Sequence, residues 1–473
     1  MQLNYSGSGT IFFKDQEYRC DLYKNTEEGG TMVKISIPKR FAGYLELPLK
    51  FDKIAGKLSN GFQFILLKCD RCKMVNLISE ERSEYSYTAE YMLNGIGKEY
   101  LDVNFSKVSY GITNIIPWGG ISEYCITDEC EMGYSEEKEI ELYKDESMQV
   151  KYKVSGSFLP CIENDLLKEE IILRQYGSIC IQFSEERPLE EYTEELMKIK
   201  RLIELSSLKR IYIEEIWGWN SQICDIYDSD SKFERPIKID AIYINKREAE
   251  KDKIDKSDIW RFITLTELRE NNSFNYYFEK YKKLEPIIEL YMELFRKGEI
   301  SGRRMFLNLV QALETYHSRF TTNDLEGFKW RVDNEILKDR PEEVKERERK
   351  LLMANSRKFV TLESRLADLL IAEFQIYFDT GNIKREEFPS VIARTRNYYI
   401  HYDEKIKEKG LVLNDEEITI YNKTLVFILE YYLLLELGFQ DVKKLNEKLI
   451  GRWGHVSDKL RMQHAVENLE RAE

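Results

Sequence analysis

RRMFLNLVQALETYHSRF, residues 303–320, places apolar side chains three and four positions apart. This spacing puts the apolar side chains on one face of a helix. Three further stretches share the period: FNYYFEKYKKLEPIIELYMELF (274–295), FVTLESRLADLLIAEFQIYF (359–378) and TLVFILEYYLLLELGF (424–439). Apolar faces on consecutive helices bury one another, so the sequence predicts an all-helical bundle over residues 271–473.

The first half of the chain has a hydrophobic period of two. Runs such as TMVKISIP (31–38) and YSYTAEYML (85–93) alternate apolar and polar residues, as half-buried antiparallel strands do. Such runs recur from about residue 8 to 185, and two more follow a predicted helix that begins after Pro188. We therefore predict an α+β multidomain fold whose N-terminal antiparallel β-rich domain, residues 1–245, is a sandwich or a distorted barrel.

A charged stretch separates the two periods. KREAEKDKIDKSD (246–258) has no apolar period and is typical of a solvated connector. We predict a connector over residues 246–270, with the helical domain beginning at residue 271.

Composition predicts a soluble, cytoplasmic protein with no membrane partner. The most apolar run, Thr424 to Phe439, is interrupted by Glu430 and Glu436 and ends at Gly438. Charged side chains are costly in a bilayer, so this run is expected to be a buried core helix. Eight cysteines in 473 residues suggest reduced thiols rather than a disulfide framework. The start of the chain lacks the pattern of a secretory signal.

The formal net charge of −13 excludes a protein that binds nucleic acid over its whole surface. A small cationic groove remains compatible with this charge. Any contact with RNA must then be confined to a patch, while the rest of the surface repels the polyanion.

The segment with candidate chemistry is FPSVIARTRNYYIHYDEK, residues 388–405. Pro389 is well placed to open a helix, because the N–H that proline lacks has no partner there. At helical spacing Asn397 and His401 share a face, while Arg396 points to one side. A local irregularity or a second chain would help to bring arginine and histidine to one phosphate. Arg396-Asn397 is the only Arg-Asn step in the sequence.

These three residue types suit metal-free RNA cleavage, in which the 2′-hydroxyl attacks the adjacent phosphorus. His401 can take and give protons near neutral pH. Arg396 offers a charged planar fork for phosphate oxygens, and Asn397 can position the hydroxyl or the imidazole. The alternative is structural: a solvated arginine and a core histidine bonded to backbone.

The R-N-x-x-x-H pattern on a late helix resembles the signature of HEPN ribonucleases. The flanking segments are similar to ApeA-type HEPN proteins of bacterial anti-phage defence, over roughly residues 275–445. The resemblance includes the Gln-Ala-Leu-Glu element at 311–314, Tyr316-His317, ARTRNYYIHYD and ILEYYLLLELGF. The order of a β-rich N-terminal half and a helical C-terminal half also resembles the ApeA arrangement, although the N-terminal half contains no distinctive sequence motif.

This resemblance implies an endoribonuclease that acts by abortive infection, with tRNA a plausible target and a phage-derived trigger sensed by the N-terminal half. It also implies a homodimer with a composite site. Cleavage needs a general base and a general acid, but one chain supplies only one motif histidine. An isologous contact between two copies would supply two histidines, one for each role. The rival hypothesis is a non-catalytic module for dimerisation and for binding RNA or protein.

Other residues have two interpretations each. Glu314 either orients the catalytic arginine or histidine from a facing helix, or is only a packing position. His317, one turn later, is interpreted as a buried and satisfied histidine. Arg394 and Thr395 either extend the phosphate contact or belong to a solvated face. His455 and His464 are interpreted as surface residues.

No cofactor is predicted, because the glycines form neither a Walker A loop nor a strand-linked G-x-G-x-x-G. A two-metal nuclease remains open on composition, although no acidic cluster stands out. Cys69 and Cys72 flank a possible turn, and with Cys125 and Cys130 they could hold zinc. Two half-buried cysteines beside a hairpin turn are the simpler interpretation, so no metal ligand is assigned.

Overall fold

The computed structural model describes residues 6–450 apart from sixteen gaps. These gaps are 15, 25–29, 39–46, 78–81, 127, 129–131, 136–137, 159–172, 229–230, 243–261, 296–299, 322–324, 355–360, 373 with 375–377, and 379–382. The chain divides into two compact units, Met1–Leu265 and Thr266–Glu473. Most of the predicted connector lies outside the described residues.

The first unit is built from antiparallel strands. In chain order they are β1 Gly7–Phe13, β2 Gln16–Lys24, β3 Thr31–Pro38, β4 Lys50–Leu58, β5 Gln63–Leu77, β6 Arg82–Asn94, β7 Phe105–Ile112, β8 Tyr124–Ile126, β9 Met132–Tyr134, β10 Glu139–Lys144, β11 Met148–Phe158, β12 Leu173–Arg187, β13 Ile213–Trp219, β14 Cys224–Asp228, β15 Ser231–Glu234 and β16 Ile237–Ala241. Two short helices accompany them, Lys98–Tyr100 and α1 Ile115–Gly119, together with the longer α2 Leu189–Ser207.

Six strands close into a barrel in the order β1-β2-β3-β6-β5-β4, with β4 returning to β1. It consists of two three-stranded meanders joined edge to edge. In β3, Thr31, Val33, Ile35 and Ile37 are buried while the residues between them are not. The period of two therefore reflects one face turned into the barrel core, and the barrel alternative of the sequence prediction is confirmed.

A second layer of strands continues from the barrel through β16, which pairs with the end of β6. Its order is β16-β13-β7-β12-β11-β10. α2 packs on β7 and β12, where the hydroxyl of Tyr192 donates to the carbonyl of Phe105 at 2.6 Å. The indole N–H of Trp118 donates to Ser206 at 2.6 Å, so α1 is tied to the end of α2.

The second unit is helical, as predicted. Its helices are α3 Leu265–Glu270, α4 Ser273–Met292, the 3-10 turn Glu293–Phe295, α5 Gly302–Phe320, α6 Leu325–Arg331, the π-helix Val332–Ile336, α7 Glu342–Ala354, α8 Leu362–Asp368, α9 Phe388–His401, α10 Glu404–Glu408 and α11 Asp415–Glu436, followed by a helical segment at 442–450. α5 is central, because it packs against α4, α8, α9 and α11. Phe306, Val310 and Leu313, which lie on its apolar face, are fully buried.

α11 is the most apolar helix of the unit. By length and composition it could cross a membrane, but 72% of its apolar window is buried inside the protein, as in a core helix. The two acidic residues that interrupt its apolar run have partners: Glu430 accepts from the hydroxyl of Tyr291. Glu436 accepts from Tyr316 and from Lys280, at 2.8 Å in each case. After the helix ends, Gly438 takes a positive φ of 92°. The polar interruptions of the run are therefore satisfied within the bundle.

Replacing Tyr291 by phenylalanine removes a donor from a carboxylate that is 0% exposed. Loss of a buried hydrogen bond to a charged group costs about 1–3 kcal/mol, or roughly 2–4 °C of Tm for each kcal/mol in a unit of this size. Thermal unfolding checks this. Tyr281→Phe is the matched control, since its hydroxyl bonds Glu285 on the same helix but nearer the surface. Equal losses in the two variants would contradict the assignment of Tyr291–Glu430 as a buried pair.

Candidate active site on helix α9

α9 carries all three motif residues. Proline lies in its first turn, as predicted, and Val391, Ile392, Thr395 and Tyr398 form its buried face. The helix ends at His401, where Tyr402 adopts a left-handed φ of 50° and donates its N–H to the carbonyl of Tyr398 at 2.6 Å. The motif therefore spans the last turns of a regular helix and ends at its boundary.

Arg396 is held between two acceptors. Its Nη1 donates to Oδ1 of Asn397 at 3.1 Å, and its Nη2 lies 3.6 Å from Oε2 of Glu314. The side chains of Arg396 and Glu314 are 31% and 34% exposed. An ion pair this exposed contributes little stability, but it fixes the direction of the guanidinium. Arg396 is therefore oriented and still open to solvent.

His401 is exposed at the end of α9. Within the described part of the chain its imidazole makes no hydrogen bond or ion pair. It lies five positions after Arg396, a rotation of about 140° around the helix axis, whereas Asn397 is only about 40° away. α9 is regular up to His401, so no irregularity of the helix brings arginine and histidine onto one face.

Glu314 and His317 both lie on α5 and reach two different helices. Glu314 contacts Arg396 on α9, which is the geometry of the orienting interpretation. His317 is 2% exposed, and its Nε2 lies 3.0 Å from Oδ2 of Asp368 at the end of α8. Its Nδ1 has no partner among the residues described. The prediction of a buried histidine is confirmed, although only one ring nitrogen is satisfied.

Arg394 and Thr395 are tied to the segment after α10. Nη1 of Arg394 donates to the carbonyl of Leu411 at 3.1 Å. Thr395 is fully buried and accepts from the N–H of Leu413 at 3.1 Å. Both residues therefore fasten this segment to α9, which neither interpretation from sequence anticipated for Thr395. His455 and His464 lie outside the described residues.

The sequence analysis missed a group of tyrosines beside the motif. The rings of Tyr398, Tyr399 and Tyr402 contact one another edge to face, with centroids 5.1–6.2 Å apart. Two cations lie over them: Arg303 is 4.9 Å from the Tyr399 ring, and Lys407 is 4.4 Å from the Tyr398 ring. The sequence does contain the pattern Tyr-Tyr-x-x-Tyr around His401. That these rings lie next to a cation could not be inferred from it, because Arg303 comes from another helix.

Arg303 is itself fixed by Asp415 at the start of α11. Its Nε and Nη2 donate to the two carboxylate oxygens at 2.5 and 2.7 Å. These hydrogen bonds hold the pKa of the Asp415 carboxyl below its usual value. The guanidinium that lies over Tyr399 therefore has a defined position.

The sequence segment that contains the motif has a positive formal charge in an acidic chain. Residues 394–409 contain five Lys or Arg and three Asp or Glu, a formal net charge of +2, against −13 for the whole chain. Phosphate binding depends on such local cations. The segment fits the small cationic patch that the overall charge permits.

The cysteine pair of the zinc hypothesis is placed differently from expectation. Cys69 and Cys72 lie within the continuous strand β5, not at a turn, with Cys69 buried and Cys72 exposed. The predicted turn is wrong, because β5 runs unbroken over fifteen residues with only a register shift between Arg71 and Lys73. In the described ranges no three His, Cys, Asp or Glu side chains form a group that could hold a metal. Cys130 lies outside those ranges.

Comparison with known families gives two matches. The family model described as ApeA N-terminal domain 1 matches residues 6–281, more than half of the chain, and Apea-like HEPN matches residues 307–443. No curated protein and no solved structure matches the chain. The HEPN match contains Glu314 and the whole of α9. The chain therefore belongs to the ApeA family, and its ApeA and HEPN domains indicate a part in anti-phage defence with a nuclease role.

Proposed function

We propose that this protein is a metal-independent endoribonuclease whose active centre is formed by Arg396, Asn397 and His401. The observation that carries the proposal is the arrangement at the end of α9. A solvent-accessible guanidinium is oriented by Glu314 and Asn397, and an exposed imidazole ends the same helix. These groups supply what phosphoryl transfer in RNA requires without a metal ion: charge stabilisation and proton transfer.

In the proposed reaction the 2′-oxygen attacks the adjacent phosphorus while the bond from phosphorus to the 5′-oxygen breaks. One imidazole of His401 removes the 2′-hydroxyl proton, and a protonated imidazole delivers a proton to the departing 5′-oxygen. Arg396 donates to the non-bridging oxygens as their charge grows. The products are a 2′,3′-cyclic phosphate and a 5′-hydroxyl.

A homodimer with a composite site is part of the proposal. Arg396 and His401 diverge by about 140° on one helix, so one chain alone presents them in different directions. Two copies around a two-fold axis supply two imidazoles and two guanidinia. The expected active species is a dimer in sedimentation velocity. A monomer that cuts RNA at assay concentrations would contradict this part.

The biological role that we propose is abortive infection, with cytoplasmic RNA, and tRNA in particular, as the target. The β-rich unit would sense a phage-derived trigger and hold the nuclease quiet before infection. This division of labour rests on family membership, because no residue of the strands identifies a ligand.

The rival is a non-catalytic module for dimerisation and RNA or protein binding. One observation favours it: the pair Arg396–Glu314 also serves as an ordinary link between α9 and α5. In that case His401 is dispensable, and an RNA-bound protein would leave its RNA intact.

The mechanism is tested with two matched single-stranded oligonucleotides, one RNA and one with 2′-deoxyribose throughout. We expect purified full-length protein to cut only the RNA, to leave cyclic-phosphate ends and to be unaffected by EDTA. Cleavage of the deoxy strand, or activity lost with EDTA and restored by Mg²⁺, would overturn the metal-independent mechanism.

Glu314 acts in this proposal as a positioning residue for Arg396. Glu314→Gln keeps an acceptor but removes the charge, and we expect kcat to fall by roughly 3- to 10-fold. The check is a double-mutant cycle with Arg396→Lys. If Glu314 works through Arg396, the two losses will not add; additive losses would assign Glu314 a separate structural role.

A further inference from the structure

Tyr402 is the most exposed residue of the tyrosine group beside the motif. It is 61% exposed, compared with 9% for Tyr398. It directly follows His401, and its ring is fixed by edge-to-face contacts of 5.8 and 6.2 Å with Tyr398 and Tyr399. A large ring is thus held in place while much of its surface is open to solvent.

The backbone at this position favours a different residue type. Tyr402 has a φ of 50°, a left-handed conformation that glycine adopts freely and that is uncommon for bulky side chains. For the backbone conformation at the end of α9, tyrosine therefore has no advantage over glycine. The contribution of Tyr402 must come from its aromatic ring.

Two cations lie close to the ring, each paired with a carboxylate, Arg303 with Asp415 and Lys407 with Glu404. Arg303 lies over Tyr399 and beside the hydroxyl of Tyr402, and Lys407 lies over Tyr398. Aromatic rings that stack bases, with cations that follow the backbone, are the means by which proteins hold single-stranded nucleic acid. An apolar protein partner could bury the ring favourably, but it would also have to remove water from these charged groups, which is costly.

We propose that Tyr402 is a stacking subsite for an unpaired base next to the scissile linkage. The inference rests on the proposed nuclease function and deepens it, because it assigns to Tyr402 the contact with an unpaired base of the substrate. A base within a duplex stacks on its neighbours and leaves no face for Tyr402. The enzyme should therefore select loops and unpaired ends by their accessibility rather than by sequence.

The test uses Tyr402→Gly and Tyr402→Phe in the full-length protein. Glycine suits the left-handed backbone, so Tyr402→Gly removes the ring without straining the backbone at this position. The matched control is Trp330→Ala, which removes an exposed aromatic ring, 59% accessible, from α6. The probes are 2′-O-methyl eight-nucleotide RNAs that cannot be cut, with 2-aminopurine at each position in turn.

We expect the wild type, Tyr402→Phe and Trp330→Ala to quench 2-aminopurine at one or two positions. In Tyr402→Gly the quenching should disappear and the Kd rise on the order of 10-fold. With cleavable RNA, the same variant should raise KM while kcat stays near that of the wild type. Annealing the probe to its complement should remove the effect of the ring.

Unchanged Kd and quenching in Tyr402→Gly would overturn the stacking subsite. So would a shift of Tyr402→Gly from dimer to monomer with quenching intact, since the ring would then belong to a protein interface. Failure of the nuclease proposal looks different: wild-type protein would leave RNA uncut, whatever Tyr402 does to the probes.

Discussion

Replacement of His401 by alanine should abolish RNA cleavage and leave RNA binding intact. The imidazole is exposed and bonds no described residue, so its removal should not disturb the fold. General acid–base catalysis contributes about 10²- to 10⁴-fold, and in a dimer one substitution removes both imidazoles. We expect cleavage to fall by at least 100-fold. Initial rates with RNA, and the Kd for its uncleavable 2′-O-methyl form, measure the two effects.

His455→Ala is the matched control for this experiment, because it deletes the same side chain outside the motif. It should cut RNA at the wild-type rate. A His401→Ala protein that still cuts within a few-fold of wild type would contradict the catalytic assignment and leave the non-catalytic module as the better account. A large loss of RNA affinity would instead make His401 a binding residue.

Replacement of Arg396 by alanine should lower kcat by about 10²- to 10³-fold, the usual cost of removing one preorganised donor from a transition-state charge. Lysine should not restore the rate. Its ammonium is a point charge, whereas the guanidinium is a planar fork that also meets Asn397 and Glu314. Steady-state kinetics of Arg396→Ala and Arg396→Lys separate this loss from a change of KM.

Arg394 offers the matched control on the same helix. Its guanidinium bonds the backbone carbonyl of Leu411 and not a motif residue, so Arg394→Ala should retain most of the activity. Equal losses from Arg394→Ala and Arg396→Ala would mean that general positive charge, not an oriented clamp, supports the reaction. An Arg396→Ala protein within twofold of wild type would contradict the clamp itself.

The features of the fold that the sequence predicts are local ones, namely individual helices and strands and the fact that one face of each is apolar. The apolar period of α5 indicated an amphipathic helix, and Phe306, Val310 and Leu313 are buried on it; alternation in β3 indicated a half-buried strand, and every second residue of β3 is buried. Barrel closure was only one of two alternatives, because it depends on β1 pairing with β4 and β3 with β6. Such pairings join strands that are not neighbours in sequence, and periodicity carries no information about them.

The error at Cys69 and Cys72 has the same origin. A pair of charged residues between two apolar runs suggested a turn, but the strand continues through them, pairing Asp70 with Thr88 and Arg71 with Tyr87. Pairing with the long neighbour β6 overrides the local preference for a turn.

The candidate site was predictable as a motif but not as a set of contacts. Spacing indicated that Arg396 points to one side of the face shared by Asn397 and His401; in the structure its side chain still reaches back to Asn397. Which partner orients Arg396 depends on the packing of α5 against α9. Likewise Arg303 and Asp415, 112 positions apart, meet only in the folded bundle. A single sequence shows which residues are present but not which of them contact one another in the folded protein.

The most direct test of the central claim is to map RNA ends in cells that express wild-type or His401→Ala protein at equal levels, with and without phage infection. Ligation that requires a 2′,3′-cyclic phosphate identifies the new termini. We predict that infected wild-type cells accumulate these ends at unpaired nucleotides and that His401→Ala cells do not. The same ends at the same abundance in both strains would contradict RNA cleavage by His401.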